Sequence, residues 1–370
     1  MKIYRLIGLL LIGTMVLGGC GTPGPMSTSE LDDPLYNAKQ GMRHLEEGNL
    51  EMAMASFERA LAMDKKCFQA YYGRGLVYLE LDKLDKAMDN MKKAYKLGRK
   101  HKYYLPYIGM ARILIAQGEY SSARAWCERL LRREPNNADA CYWIGKTYEK
   151  EERYDKAREW YAQAIDKNPK HVKADYDWKK MDMILRAQPG TDVGKQIAMV
   201  DEITRADLAA LFAEELDAKN LLRERKFKEK NLNPLERQKL IDTEHPIMED
   251  IKGTWAEGYI QTVTDLNIMP PYPDGDFRPF EIINRANFCV FVQNIMIRYN
   301  ADEELGYRFV GNKSPFTDVR GSNYAFNSIL LCTSYGILQG DPLTHEFRPM
   351  DSVSGAEALL ALRQLKQSLK

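Results

Sequence analysis

Two arginines stand where a helix is about to begin. Arg205 follows Thr204 in Ile203-Thr204-Arg205-Ala206-Asp207, and Arg285 follows Asn284 in Asn284-Arg285-Ala286-Asn287. Thr204 with Asp207 is a capping-box pattern, Ser354 with Glu357 is another, and Asn284 is a good N-cap. A helix N-terminus carries unpaired N–H groups and a partial positive charge. A guanidinium added there makes a site for a carboxylate, which Arg grips bidentately. In Ser354-Gly355-Ala356-Glu357, Gly355 occupies the Arg position, so this third copy is expected to be weak or inactive. No other catalytic or metal-ligating arrangement stands out. The chain has no Gly-rich phosphate loop, HExxH, CxxC or nucleophile elbow, and its five histidines are scattered. Asp274-Gly275-Asp276 lacks the ligand ladder of a calcium loop. The expectation is a non-enzymatic chain with no cofactor and no metal.

The elements that position these residues come in two kinds. The first twenty residues read as a leader, with Lys2 and Arg5 ahead of an apolar run from Leu6 to Val16 and then Leu17-Gly18-Gly19-Cys20. This resembles a bacterial lipoprotein signal (1–19), which implies a lipidated Cys20, a membrane held through that anchor and, with Gly21 at the next position, an outer-membrane location. Residues 20–33 are rich in Gly, Pro, Ser and Thr and read as a flexible tether. Across 370 residues, 53 Lys and Arg balance 52 Asp and Glu, a net charge of +1, so no global charge draws the chain to nucleic acid or an anionic membrane.

From residue 34 to 187 the sequence repeats with a period of about 34 residues, the tetratricopeptide (TPR) signature. Small residues recur at Gly41, Gly75, Ala111 and Gly145, and at Ala53, Ala87, Ala123 and Ala157. Bulkier ones recur at Phe57, Met91, Cys127 and Tyr161, followed by Ala60, Ala94, Leu130 and Ala164. Small residues let the two helices of a unit approach, and the bulky one fills the gap. Two extra residues precede the third unit. Residues 172–187 form an amphipathic capping helix with Tyr176, Met181 and Ile184 facing inward. The groove of such an array is expected to carry Met42, Tyr72, Leu76, Ile108, Arg112, Tyr142 and Lys146. It is open to two readings, a site for an envelope protein or peptide with an acidic end, or a surface covered by the protein itself. Ala38 and Met42 do not match a carboxylate clamp. Cys127 and Cys141 fall on neighbouring helices, either as small core residues or as a disulfide.

After Pro189-Gly190, residues 190–370 say one sentence twice, at 272–288 and 341–358, with an echo at 201–216. Each full copy has a turn, a Phe-Arg-Pro and an N-capped amphipathic helix. The copies resemble the S-layer homology (SLH) domain, three repeats of unequal quality. The resemblance implies a three-pronged helical bundle whose grooves bind acidic or pyruvylated wall sugars. By the same resemblance, Arg205 and Arg285 contact the acidic group, and Asp250, Asp318 and Trp255 line the grooves. A charged segment at 217–245 reads as a solvated insertion.

The expected fold class is therefore all-α, a TPR helical solenoid followed by a three-repeat SLH-like bundle. The expected function is that of a cell-envelope lipoprotein that binds cell-wall polysaccharide or a peptidoglycan-linked polymer and scaffolds a protein partner. The alternative is a pilotin-like or outer-membrane assembly factor acting through protein contacts alone. Arginines projecting into open grooves favour the first, and arginines buried in salt bridges favour the second.

Overall fold

Small residues facing large ones build the first half. In the computed structural model, residues 33–222 and 248–369 are described. Cys20, the tether before Asp33 and residues 223–247 of the charged segment lie outside them. The fold is all-α. The first unit, through Glu119, contains α1 (Pro34–Glu46), α2 (Leu50–Met63), α3 (Phe68–Glu80), α4 (Leu84–Gly98) and α5 (Leu105–Ala116). Helices α1 and α2 pair, as do α3 and α4. Asp33 and Asn49 cap α1 and α2 by accepting from Leu35 N and Met52 N. A Cβ on Gly41 would lie 2.5 Å from the Phe57 ring, and one on Gly75 would lie 2.9 Å from Met91 Cε. The repeat spacing thus works as read: the small residue of one helix is the seat of the large residue of its partner.

The second unit, Tyr120–Lys370, contains α6 (Tyr120–Leu131), α7 (Ala138–Lys150), α8 (Tyr154–Lys167) and α9 (Val172–Ala187). It continues with α10 (Asp192–Ala198), α11 (Arg205–Ala210), α12 (Glu257–Asp265), α13 (Arg285–Asn300), α14 (Phe326–Ser334) and α15 (Gly355–Ser368). Helices α7 and α8 pair through the same device, a Cβ on Gly145 falling 2.4 Å from the Tyr161 ring.

The chain does not divide at Pro189-Gly190. One apolar core runs from Cys141, Tyr161 and Met181 through Phe212, Phe288 and Leu362, so the last TPR pair and its cap are fused to the SLH-like bundle. Polar contacts add to this. Glu215 accepts from Gly190 N (2.9 Å), Thr191 N (3.1 Å) and Thr191 Oγ1 (2.8 Å). Lys180 donates to Met199 O and to Asp201, both at 2.6 Å. The cap itself differs from expectation. Met181 and Ile184 are buried, but Tyr176 is half exposed and donates to Asp201, while Ala174, Asp177 and Lys180 face inward. Cys127 and Cys141 are buried free thiols, not a disulfide. Burial, and then the neighbouring Cys141, pushes the Cys127 thiol up to about 12.

Candidate functional site

Three extended segments, each leading into a helix N-terminus, meet in a closed ring. Ile203 N donates to Val353 O (2.9 Å), Val353 N to Ile283 O (3.0 Å), and Ile283 N to Ile203 O (2.9 Å). One residue past each N-cap the pattern repeats: Arg205 N donates to Glu281 O, Arg285 N to Asp351 O, and Gly355 N to Val200 O, at 2.8, 2.9 and 2.8 Å. The caps are those read from the sequence. Thr204 and Asp207 form a complete capping box, Asn284 Oδ1 accepts from Asn287 N, and Ser354 Oγ accepts from Glu357 N. The ring is thus a pseudo-threefold junction that aims the starts of α11, α13 and α15.

Each Phe-Arg-Pro packs beside one of these starts. Arg278 and Arg348 both adopt φ of +58°, a left-handed conformation that a non-glycine residue holds only under restraint. The restraint is a carboxylate. Asp250 accepts from Phe277 N (3.1 Å) and Arg278 N (2.6 Å). Asp318 accepts from Phe347 N (2.9 Å) and Arg348 N (2.7 Å). On the carbonyl side of the same turns sit the motif arginines. Arg205 Nε donates to Phe277 O (2.7 Å) and its Nη2 to Pro270 O (3.2 Å). Arg285 Nε donates to Phe347 O (2.9 Å), its Nη2 to Gln339 O (2.7 Å), and its Nη1 pairs with Glu357. The guanidinium of Arg205 lies over Phe277 (4.4 Å) and Tyr272 (4.8 Å), and that of Arg285 over Phe347 (4.6 Å).

These contacts correct the expected roles. Arg205 is 3% exposed, with its fork spent on carbonyls and aromatic faces, and burial pulls its pKa below the ordinary arginine value. It is not free to grip a carboxylate. Arg285 is mostly buried and already holds one, that of Glu357. Burial raises the Glu357 pKa even against the opposing charge of Arg285. Asp250 and Asp318 do not present a free carboxylate to a groove; they hold the two turns. Trp255 is the expected site residue that is open, 56% exposed and edge-on to Tyr259 at 6.1 Å. Tyr324, standing in the third copy where Trp255 stands in the second, is also exposed and donates to Asn287 Oδ1.

The third corner is closed. A Cβ on Gly355 would lie 1.7 Å from Ile197 O, so α10 occupies the space a third arginine would need.

The guanidiniums of this region that do face solvent belong to the two Phe-Arg-Pro turns. Arg278 pairs with Asp274 at 2.6 Å and lies 4.1 Å over Tyr272. Arg348 meets Asp341 (3.3 Å) and Glu346 (3.5 Å). The signal was present in the sequence, since both copies carry Arg between Phe and Pro. Beside Arg348 lies a depression of about 290 Å³, lined also by Arg285, Gln339, Asp351, Ser352 and Glu357. Phe280 and Met350, each directly after a Phe-Arg-Pro, are exposed.

The expected TPR groove fares less well. Tyr72, Leu76, Ile108 and Tyr142 are all more than nine-tenths buried. Within the first unit, Met42 and Arg112 remain partly open, and Arg112 pairs with Glu80 at 3.3 Å. Within the second, the protein covers the surface itself. Lys146 lies between Glu149 (2.6 Å) and Asp177 of α9 (3.6 Å), and the Tyr142 ring packs at a tilt against His171, centroids 5.0 Å apart. Tyr161 also donates to Glu149. Burial raises Asp177 above the usual carboxylate range, with Lys146 opposing.

Known proteins share both halves. Models of the tetratricopeptide repeat match residues 39–101 and 108–172, and the S-layer homology domain matches 248–289 and 315–359. A cellulosome-anchoring protein of Acetivibrio thermocellus is 29% identical over 167 residues, 44% of this chain and 32% of that protein. DnaJ homolog subfamily C member 7 of Homo sapiens is 30% identical over 157 residues, 39% of this chain and 32% of that protein. The chain spans a third or less of the length of these curated relatives. The crystal structure of YrrB, a TPR protein with an unusual peptide-binding site, is 23% identical, covering 40% of this chain and 76% of that one, with a TM-score of 0.31.

Proposed function

We propose that this chain, which joins tetratricopeptide repeats to S-layer homology segments, is a non-enzymatic envelope lipoprotein that holds a cell-wall polymer through its C-terminal bundle and a protein partner through its N-terminal repeats. S-layer homology domains bind wall polymers, TPRs bind proteins, and both are non-catalytic families. The observation that carries the reading is the duplicated turn. Two Phe-Arg-Pro turns, each held by an Asp and an Arg, carry a half-exposed guanidinium: Arg278 lies over Tyr272 and pairs with Asp274, and Arg348 pairs with Asp341 and Glu346. An acidic sugar offers a carboxylate that exchanges for these solvent-exposed partners, which hold weakly, and is gripped by the fork; the exposed rings of Trp255 and Tyr324 elsewhere on the bundle offer faces for a sugar ring. Arg205 and Arg285 then act as positioning residues for the turns, and Asp250 and Asp318 do the same from the other side. The closed corner at Gly355 leaves the two Phe-Arg-Pro turns as the binding positions. Similarity to a cellulosome-anchoring protein supports a surface location. The Cys20 signal supports a lipid anchor, most simply in an outer membrane, so that membrane and wall are linked.

A second reading has a specific observation behind it. With Arg205 and Arg285 both buried, the bundle is also suited to be architecture alone, an adaptor presenting the repeats in pilotin-like or assembly-factor fashion. Co-sedimentation with purified sacculi separates the two. The tether reading expects the chain to sediment with sacculi that carry their secondary polymers and not with stripped ones. No sedimentation with either removes the tether and leaves the adaptor. For the anchor, Cys20→Ser should abolish incorporation of labelled palmitate into the protein.

A further inference from the structure

The first unit concentrates exposed cations at one edge. Between Asp89 and Glu119 the sequence contains no acidic residue, while Lys96, Arg99, Lys100 and Lys102 crowd the end of α4 and the turn into α5. The two extra residues before the third repeat fall here. They make room for a 3₁₀ turn at Arg99–His101 that ends on Lys102 in the left-handed conformation (φ +54°). The equivalent turn between α2 and α3 carries Lys65 and Lys66. The turns are neighbours, because Phe68 stacks on His101 at 5.2 Å and meets Tyr103 at 4.9 Å. All six cations are exposed. The ion pairs described in this unit involve Arg43, His44 and Arg112, none of the six. Two carboxylates share the edge, and both serve as caps: Asp33 accepts from Leu35 N and Asp64 from Lys66 N. The opposite ends of these helices are mixed, with Glu46, Glu47, Glu80, Asp82 and Asp85 beside Arg43, Lys83 and Lys86. Each basic turn is also flanked by an exposed apolar side chain, Met63 before the first and Leu105 after the second.

We propose that this edge docks on an anionic phospholipid surface, with Lys65, Lys66, Arg99, Lys100 and Lys102 at the headgroups and Met63 and Leu105 at the acyl boundary. Clustered basic residues gain roughly 1 kcal/mol each near an anionic leaflet, and apolar side chains beside them reach the interface. A linear polyanion would use the cations but gives Met63 and Leu105 nothing to do, which is why the lipid is favoured. The site is separate from the wall-binding bundle and does not depend on lipidation of Cys20.

The test is flotation of the chain from residue 21 onward, which carries no acyl group, with vesicles of phosphatidylglycerol and phosphatidylcholine and with pure phosphatidylcholine. Binding is expected only to the anionic vesicles and should vanish near 1 M salt, where the Debye length is about 3 Å. Arg99→Glu/Lys100→Glu should weaken the partition by at least about thirtyfold, the loss of two cations alone, before any repulsion of the new carboxylates. A control of equal charge change, Lys313→Glu/Arg320→Glu, both exposed, should leave it unchanged. Sacculus sedimentation by the Arg99→Glu/Lys100→Glu variant should match wild type. Absent binding, equal binding to neutral vesicles, or an equal fall in the control would overturn the proposal. So would binding of inorganic polyphosphate without vesicle binding, which would make the edge a polymer surface.

Discussion

Replacing Gly355 with alanine should damage the bundle far more than its size suggests. The added Cβ would sit 1.7 Å from the carbonyl oxygen of Ile197 and 3.2 Å from Ala198 N. These are backbone atoms of α10, so no rotamer change relieves the contact, and the helix itself must shift. That shift also strains the hydrogen bond from Gly355 N to Val200 O. Overpacking in a core costs about 1–3 kcal/mol when side chains can yield, and a backbone clash belongs at or beyond the top of that range, about 3 kcal/mol. For a unit of this size that is a fall of roughly 6–12 °C in the melting temperature. The control is Gly258→Ala. Gly258 lies in α12 with nothing near its would-be Cβ, and alanine there should stabilise by about 0.4–1 kcal/mol. Thermal unfolding followed by circular dichroism reads both. A Gly355→Ala protein that melts with wild type would refute the claim that α10 closes the third corner. Gly355→Arg, which restores the motif, should be at least as damaging and should create no third binding site.

Other expectations follow from the same geometry. Gly145→Ala meets the Tyr161 ring at 2.4 Å, a ring held by Glu149, and should cost about 1–3 kcal/mol; Gly75→Ala meets the flexible end of Met91 at 2.9 Å and the Ala87 carbonyl oxygen at 3.3 Å and should cost about 1 kcal/mol, less than Gly145→Ala, in thermal melts. Asp250→Ala and Asp318→Ala each strip two charge-assisted acceptors from a positive-φ turn and should cost about 1.5–3 kcal/mol apiece, measured by urea unfolding. The Asp177 carboxyl has its folded pKa raised by burial, so folding favours its protonated form. Its stabilising contribution is full below the ordinary value near 3.8 and is lost as pH rises through the folded value. Relative to Asp177→Asn, wild type should therefore lose stability as pH climbs above that range. A difference between the two proteins that does not change with pH would contradict the burial assignment.

The solenoid was legible because its code is local. Gly41 and Phe57, or Gly145 and Tyr161, are spaced so that each predicts the other's size, and the structure seats one on the other. The caps at Thr204, Asn284 and Ser354 were legible for the same reason. What sequence could not supply was the long-range partner. Arg205 finds its acceptors at Pro270 and Phe277, and Arg285 at Gln339 and Phe347. An arginine at a helix start looks the same in sequence whether it faces solvent or a carbonyl. The sequence showed glycine at the third arginine position but not that the backbone of α10 packs against it. The break expected at Pro189-Gly190 failed because turn residues mark a bend in the chain. They do not report that Glu215, far along the sequence, pins that bend to the bundle. Burial of Tyr72, Leu76 and Ile108 likewise reflects how helices stack, which the repeat period does not encode.

The most direct test of wall binding is a titration of solubilised secondary wall polymer into the wild-type chain and into Arg278→Ala/Arg348→Ala, by calorimetry, with melting curves recorded in parallel. Both arginines are half exposed and outside the core, so melting should be unchanged and binding by the variant at least tenfold weaker. Wild-type binding that survives both substitutions, or no binding by the wild type, would contradict it.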